Sequence, residues 1–313
     1  MDEQGQVSGL HAAADAAGDG FDAGTLIIGH VSNSSLDHPL IHLPTVFGID
    51  LSVTKHVFML WVVAGLLFVT ITALVRGYLR RGATAPNGAM NALEFVVEYV
   101  RDTIVRANVG SKWVLTWTPL LLTLFVFILA ANAIGLVPMF EVLGLLDHYV
   151  LHTADDSFVK GLLHGGATVT GNYNVTAALA SITFIAIIIA GSRAHGFVKH
   201  WTNQIPKGLP LFVYPLLIPI EILSMFVRPF ALTMRLAANM TGGHVAILAI
   251  LSFVFIFAQT LSSATAGIGI GMFFSVPLST AVLGLEIIVV LVQAYVFTLL
   301  SAVFIGMAIH AHH

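Results

Sequence analysis

Residues 209–263 read LPLFVYPLLIPIEILSMFVRPFALTMRLAANMTGGHVAILAILSFVFIFAQTLSS and form an almost continuous apolar run. As one α-helix this run would be about 80 Å long at about 1.5 Å per residue. A single perpendicular crossing of a hydrocarbon core about 30 Å thick needs only about 20 residues. The run therefore either breaks into two membrane spans or crosses at a strong tilt. Because no Lys or Arg follows Arg235, counting basic residues does not decide between the two.

The composition of the whole chain points to lipid as its main solvent. Of 313 residues 57% are hydrophobic and 9% are charged, whereas an ordinary soluble domain has about 25% charged residues. The mean hydropathy is +0.92. A net charge of −3 gives no reason to expect nucleic acid as a partner, and the absence of cysteine excludes disulfides and thiolate chemistry. The sequence also contains no Walker-type nucleotide-binding motif.

Further apolar runs predict an all-α integral membrane protein. They cover residues 56–75, 117–140, 175–190 and 272–309, the last after a Gly-rich turn at 267–271. We expect an external N-terminal segment 1–50, a first span within 51–82, a surface helix within 83–112 and a membrane core 113–313. Within this core we expect an external loop 141–174 and long helices 208–263 and 272–310.

Residues 87–109 differ from the other segments because charged and apolar side chains alternate at helical spacing. The charged residues are Glu94, Glu98, Arg101, Asp102 and Arg106, and the apolar ones are Leu93, Val96, Val97, Val100 and Ile104. This pattern is typical of an amphipathic helix lying along a membrane surface. The alternative is a soluble helix that packs on nothing, which the apolar face disfavours.

Basic residues outside the membrane predict the orientation, because cytoplasmic segments carry an excess of Lys and Arg. If the cluster Arg76, Arg80 and Arg81 is cytoplasmic, only two basic residues lie on the outer side of the membrane. This orientation places the N-terminal segment and the 141–174 loop outside. The cytoplasmic set is Arg76, Arg80, Arg81, Arg101, Arg106, Lys112, Arg193, Lys199 and Lys207, and the outer set is Lys55 and Lys160.

Two polar stripes run along the last two apolar segments. At about 100° per residue, the first spans about 60° of a helix surface and the second about 40°. Ionisable groups within a membrane are costly and therefore functional candidates, whereas we expect the serines to make structural hydrogen bonds between helices. The first stripe is Glu221, Ser224, Arg228, Arg235 and Asn239, and the second is Ser275, Ser279, Glu286 and Gln293.

His244 is a further candidate because an imidazole titrates near neutral pH. It projects about 180° away from Arg235 on a helix wheel, so it can face a different helix. An arginine side chain stays protonated at any working pH and therefore acts as a fixed charge.

Three sequence blocks resemble subunit a of F-type ATP synthases. They are ANAIGLVP (131–138), EILSMFVRPFALTMRLAANMTGGH (221–244) and GLEIIVVLVQAYVF (284–297), which together cover about a quarter of the chain. The second matches the family's pattern of a carboxylate, a basic residue followed by proline, and an arginine with asparagine four residues later. Gly135 stands where some members carry an acid, and members carry the acid and the imidazole of positions 244 and 286 in either order.

The resemblance implies five crossings, an in-plane helix, a cytoplasmic C-terminus and a tilted hairpin of the last two helices against a ring of c subunits. Arg235 would face a rotor carboxylate and separate two proton half-channels. The outer half-channel would use Asn132, Asn239, His244, Glu286 and Gln293, and the inner one Glu221 with Ser224 and Arg228. The resemblance implies a non-catalytic subunit in a bacterial plasma membrane, with the c-ring, b-type peripheral stalk subunits and the F1 sector as partners and without a cofactor.

Two other functions remain as alternatives at this point. A self-contained ion-coupled transporter or channel would use Glu221, Arg235 and Glu286 to line its path, although no inverted repeat is found. A purely structural scaffold would leave both charged stripes unexplained. His148 and His152, with Asp155, Asp156 and His164 nearby, have spacing that can bind a metal, but ordinary surface polarity explains them better, and we expect no metal site.

Overall fold

The computed structural model describes residues 23–24, 27–28, 41, 43, 52–80, 85–86, 88–136, 169–202, 210–261 and 263–310. The regular secondary structure within them is helical, apart from one isolated antiparallel bridge between Ile41 and Val53. The helices are α1 (Lys55–Arg80), α2 (Ala89–Glu98), α3 (Arg106–Val109), α4 (Val114–Leu136), α5 (Tyr173–His195), α6 (Phe197–Thr202), α7 (Tyr214–Thr260) and α8 (Ala264–Ile309).

Five of these helices, α1, α4, α5, α7 and α8, are long and apolar enough to cross a membrane. This confirms the prediction of an all-α protein with five candidate spans. The 209–263 run contains one unbroken helix of 47 residues, about 70 Å long, so the alternative of two separate spans is excluded. Pro219 and Pro229 lie inside this helix, as membrane helices tolerate when neighbours satisfy the freed backbone groups.

The connection between α7 and α8 is shorter than the sequence predicts. Since α8 begins at Ala264, the expected turn at 267–271 is wrong and its glycines lie within the helix. A Cβ on Gly267 would overlap the Phe257 carbonyl, and one on Gly271 would lie 2.6 Å from the Val254 Cα. These glycines therefore allow the two helix backbones to approach closely, as small residues do in membrane helix pairs.

The chain divides into two compact units. The first comprises the described residues within Met1–Leu60, Ala133–Gly171 and Ala238–Val289, and the second those within Trp61–Asn132, Asn172–Ala237 and Val290–His313. In the first unit, the C-terminal part of α7 packs on the N-terminal part of α8 through the glycine contacts just described.

In the second unit, three helix ends meet at one place. The His195 ring at the end of α5 lies 2.8 Å from the Ile309 carbonyl at the end of α8. Gly306 leaves room for the Asn108 backbone at the end of α3, and His310 lies against Gly110. Gly110 has φ +79°, which favours glycine. The ends of α3, α5 and α8 therefore lie at the same end of this unit.

The predicted amphipathic segment is helical, with a π-helix over Tyr99–Val105 between α2 and α3. Its buried apolar side chains belong to its C-terminal half: Val100, Ile104, Val105 and Val109 are fully buried in the hydrophobic core of the second unit. None of the residues of α2 is buried, so the predicted apolar face packs on protein only in part. The alternative of a helix that packs on nothing is excluded for the C-terminal half.

Candidate functional site

A buried carboxylate faces an imidazole in the first unit. Glu286 on α8 is 2% exposed, and its Oε1 lies 3.6 Å from Nδ1 of His244 on α7. Neither Glu286 oxygen has a hydrogen-bond partner within the described residues. Burying a carboxyl group without hydrogen bonds is costly, so this arrangement suits a group that exchanges protons with a neighbour better than a structural one.

The neighbouring glycine provides the space for this carboxylate. A Cβ on Gly243 would overlap Oε1 of Glu286 and lie 2.7 Å from its Cδ. By contrast, nothing lies within 4 Å of the corresponding position on Gly242. Sequence reasoning missed Gly243. The only sign of this contact in the sequence is the pair of glycines that precedes His244. The pair does not show which of its two glycines faces the partner helix.

The predicted polar stripe of α8 is its buried side. Ser275, Ser279, Glu286 and Gln293 are each less than 10% exposed. The apolar side chains Phe273, Phe274, Leu285, Ile287 and Ile288 are each more than half exposed. Ser279 donates within its own helix to the Val276 carbonyl at 3.1 Å, and Ser275 has no hydrogen bond within the described residues. The expected hydrogen bonds from these serines to another helix are therefore not observed.

Glu221 and Arg228 form a pair in the second unit. A guanidinium nitrogen of Arg228 lies 4.0 Å from Oε1 of Glu221, with both side chains about 30% exposed. The guanidinium carbon lies 5.6 Å from the centroid of the Phe304 ring on α8. Ser224, between the paired residues on α7, is half-buried. Sequence reasoning also missed Phe304, because an apolar residue among many others on α8 carries no signal of a contact with a cation.

Arg235 and Asn239 are both exposed, whereas Leu232 and Leu236 are buried. Among the residues that the structure describes, no hydrogen bond or ion pair involves Arg235. Within the second unit it is not paired with Glu221, although both belong to the predicted stripe. The Arg235 side chain thus projects away from the core of its own unit.

Asn132 on α4 and Gln293 on α8 are almost completely buried in the second unit, at 0% and 3% exposure. Elsewhere in this unit a buried contact joins the hydroxyl groups of Thr183 and Ser301 at 3.2 Å. Sequence reasoning did not single out this pair, because hydroxyl groups in membrane helices are common.

Ion pairs in the described residues outside the spans join Arg101 and Arg106 to Asp102. Arg101 donates to Asp102 at 2.6 and 3.1 Å, and Arg106 approaches Asp102 to 3.0 Å. The hydrogen bonds from Arg101 lower the pKa of Asp102, with help from the charge of Arg106. His200 is buried over Gly191, and this burial lowers its pKa.

No group of three or more His, Cys, Asp or Glu side chains that would hold a metal occurs in the described part of the chain. The His148 to His164 segment lies outside it.

Comparison with known proteins assigns the family. A family model described as ATP synthase A chain matches residues 57–306. "ATP synthase subunit a 2" of Chlorobium luteolum is 38% identical over 294 residues, covering 91% of this chain and 76% of the relative. The protein of the same name from Prosthecochloris aestuarii is 36% identical over 304 residues, covering 95% of this chain and 83% of the relative. "ATP synthase subunit a" of Myxococcus xanthus is 37% identical over 269 residues, with 85% and 75% covered.

Likeness over most of the chain to proteins of one function disfavours the alternatives of a self-contained transporter and of a structural scaffold. The chain belongs to the ATP synthase A chain family and is a proton-translocating stator subunit of the membrane sector of ATP synthase.

Proposed function

We propose that this subunit provides two proton half-channels, one leading to the c-ring and one leading away from it, with Arg235 as the fixed charge between them. The outer half-channel is built around His244 and Glu286, with Asn132, Asn239 and Gln293 as further polar positions. The inner one is built around Glu221, with Ser224 and Arg228. The observation that carries the proposal is the 3.6 Å approach of His244 to the buried Glu286.

The His244–Glu286 pair has the chemistry of a proton relay. A neutral imidazole both donates and accepts a proton, and it titrates near ambient pH. A buried carboxylate without hydrogen bonds is costly to keep ionised, and a protonated imidazole beside it lowers that cost. A proton arriving at either group is therefore shared with the other and is not trapped.

Arg235 acts differently because a guanidinium does not release its proton. A permanent cation attracts the rotor carboxylate in its ionised form and repels protons that would pass directly between the half-channels. Its exposed position, between the buried Leu232 and Leu236, supports a role toward another subunit. Protons then leave only by travelling on the rotating ring.

The partners in this proposal are the c-ring, b-type peripheral stalk subunits and, through the complex, the F1 sector. The membrane is a bacterial plasma membrane, with the segment before α1 outside and the end of α8 in the cytoplasm. Support for this orientation comes from Arg76 and Arg80 at the end of α1 and from Arg193 near the end of α5, which the positive-inside rule places in the cytoplasm.

Exchange of the paired groups tests the outer half-channel. We expect His244→Glu and Glu286→His each to impair ATP-driven proton pumping severely, because each places two like groups together. The double exchange should recover a measurable part of the pumping. Proton uptake into inverted membrane vesicles measures this, with subunit blots to verify assembly. A double variant no better than the worse single variant, at equal assembly, would show that the two residues do not act as a pair.

A further inference from the structure

The second unit contains a contact for which the half-channel proposal gives no role: the ring of Phe304 on α8 lies 5.6 Å from the guanidinium carbon of Arg228 on α7. We infer that Phe304 is a positioning residue, which holds the Arg228 guanidinium beside the Glu221 carboxylate through a cation–π contact. This inference rests on the proposed inner half-channel and extends it to a residue on the other long helix.

Helix geometry alone does not bring Glu221 and Arg228 together. The two residues are seven positions apart, which is about 10.5 Å along a helix axis. Side chains three or four positions apart are helix neighbours, whereas seven positions span two turns. The Arg228 side chain must therefore extend back along α7 to bring its nitrogen to 4.0 Å from the carboxylate. A long arginine side chain loses much rotamer freedom when it is held extended in this way.

Phe304 supplies a fixed partner for the extended side chain. A guanidinium within about 6 Å of a ring centroid is attracted by the negative face of the ring, and the attraction grows when water is excluded. This contact uses none of the N–H donors of the guanidinium, so all of them remain available to Glu221 or to water. The aromatic ring thus fixes the position of the cation without occupying its hydrogen bonds.

The separation between the charged groups fits a carboxylate that exchanges protons. A charge-assisted hydrogen bond between a guanidinium and a carboxylate is about 2.7–2.9 Å long, whereas the two groups here are 4.0 Å apart. A guanidinium drawn onto the carboxylate would hold it ionised, and one directed away would leave it without a nearby cation. The contact with Phe304 keeps Arg228 between these extremes.

A fluorinated phenylalanine series at position 304 tests the inference. Successive ring fluorines weaken the negative face with little change of shape. We expect the rate of ATP-driven proton pumping per assembled complex to fall stepwise, reaching about a fivefold loss with three fluorines, equivalent to about 1 kcal/mol at about 1.4 kcal/mol per tenfold change. Phe304→Trp should retain pumping, and Phe304→Leu should reduce it at least as much as three fluorines do. A rate that is unchanged along the series would overturn the inference.

Two controls separate this inference from the half-channel proposal. The same series at Phe297, a buried residue two turns earlier on α8, should have no graded effect. In an Arg228→Gln background the gradient at position 304 should vanish, and its persistence would show that the ring acts on something else. Glu221→Gln tests the inner half-channel itself: unimpaired pumping removes Glu221 from the path, whereas strong impairment with a flat fluorine series rejects Phe304 alone.

Discussion

Adding a single methyl group at Gly243 should displace the Glu286 carboxylate while leaving the fold intact. The new Cβ would lie 2.7 Å from the Cδ of Glu286, whereas ordinary contact is about 3.5–4.0 Å. The Glu286 side chain must therefore shift by about 1 Å or more. Because the clash involves the end of a flexible side chain and no backbone, we expect the complex to assemble normally.

The shift weakens the pairing with His244 by a predictable amount. At 3.6 Å, an imidazolium and a carboxylate attract by about 4.6 kcal/mol at an effective dielectric constant of about 20. A displacement of about 1 Å away from the ring removes about 1 kcal/mol of this attraction. At about 1.4 kcal/mol per tenfold change, we expect ATP-driven proton pumping to fall about fivefold in Gly243→Ala.

Gly242→Ala is the matched control. It adds the same methyl group to the same helix one residue away, where nothing lies within 4 Å, and both changes raise helix propensity equally. Pumping into inverted vesicles, normalised to assembled complex, should be near normal in Gly242→Ala. Equal rates in the two variants would refute the reasoning, because the space at Gly243 would then not determine the position of the carboxylate.

Three further expectations follow from other parts of the chain. Arg235→Lys should assemble but fail to couple pumping, because a lysine, unlike an arginine, loses its proton when the proposed contact with the rotor buries it. Near-normal pumping would remove Arg235 from the central role. The chain has no native cysteine, so single cysteines can report the position of the amphipathic segment. Cysteines introduced at the exposed Ala89 and Ala107 should both react with an impermeant thiol reagent from the cytoplasmic side only. Labelling of one cysteine from each side would make the segment a membrane span. Gly271→Leu should strongly reduce the amount of subunit in the membrane, since the Val254 backbone occupies the space that the new side chain needs. Gly269→Leu should not, because the space around Gly269 is open. Equal amounts of the two variants on membrane blots would contradict the close helix crossing.

The sequence predicted the features that depend on helical period and composition. The buried stripe of α8 follows the predicted spacing from Ser275 to Gln293, and α1 spans Lys55–Arg80 where an apolar run ending in arginines was expected. Both patterns depend only on the residues of one helix and on which of its sides avoids lipid. They can therefore be read from a short stretch of sequence. The roles of the proposed site residues stay predictions.

The errors and omissions involve contacts between helices distant in the sequence. Glycines at 267–271 were expected in a turn because glycine often ends a helix, but Gly267 and Gly271 meet the backbone of α7. Gly243 and Phe304 were missed for a related reason. Their importance comes from the side chain that the partner helix brings to them, and neither residue type carries that information.

The contact between Arg228 and Phe304 can form only after most of the chain has been synthesised. Phe304 emerges from the ribosome roughly 76 residues after Arg228, which takes about 4–15 s at about 5–20 residues per second. During that interval α7 already carries Glu221, Arg228 and Arg235, whereas α8 carries only Glu286 as a charged residue. On insertion scales each such charge costs about 2.5–3.5 kcal/mol at a helix centre, against about 0.3–0.6 kcal/mol gained per large aliphatic residue. The more costly helix of the hairpin is thus synthesised first, and chains that stall before residue 304 would hold Arg228 in the bilayer without its aromatic partner.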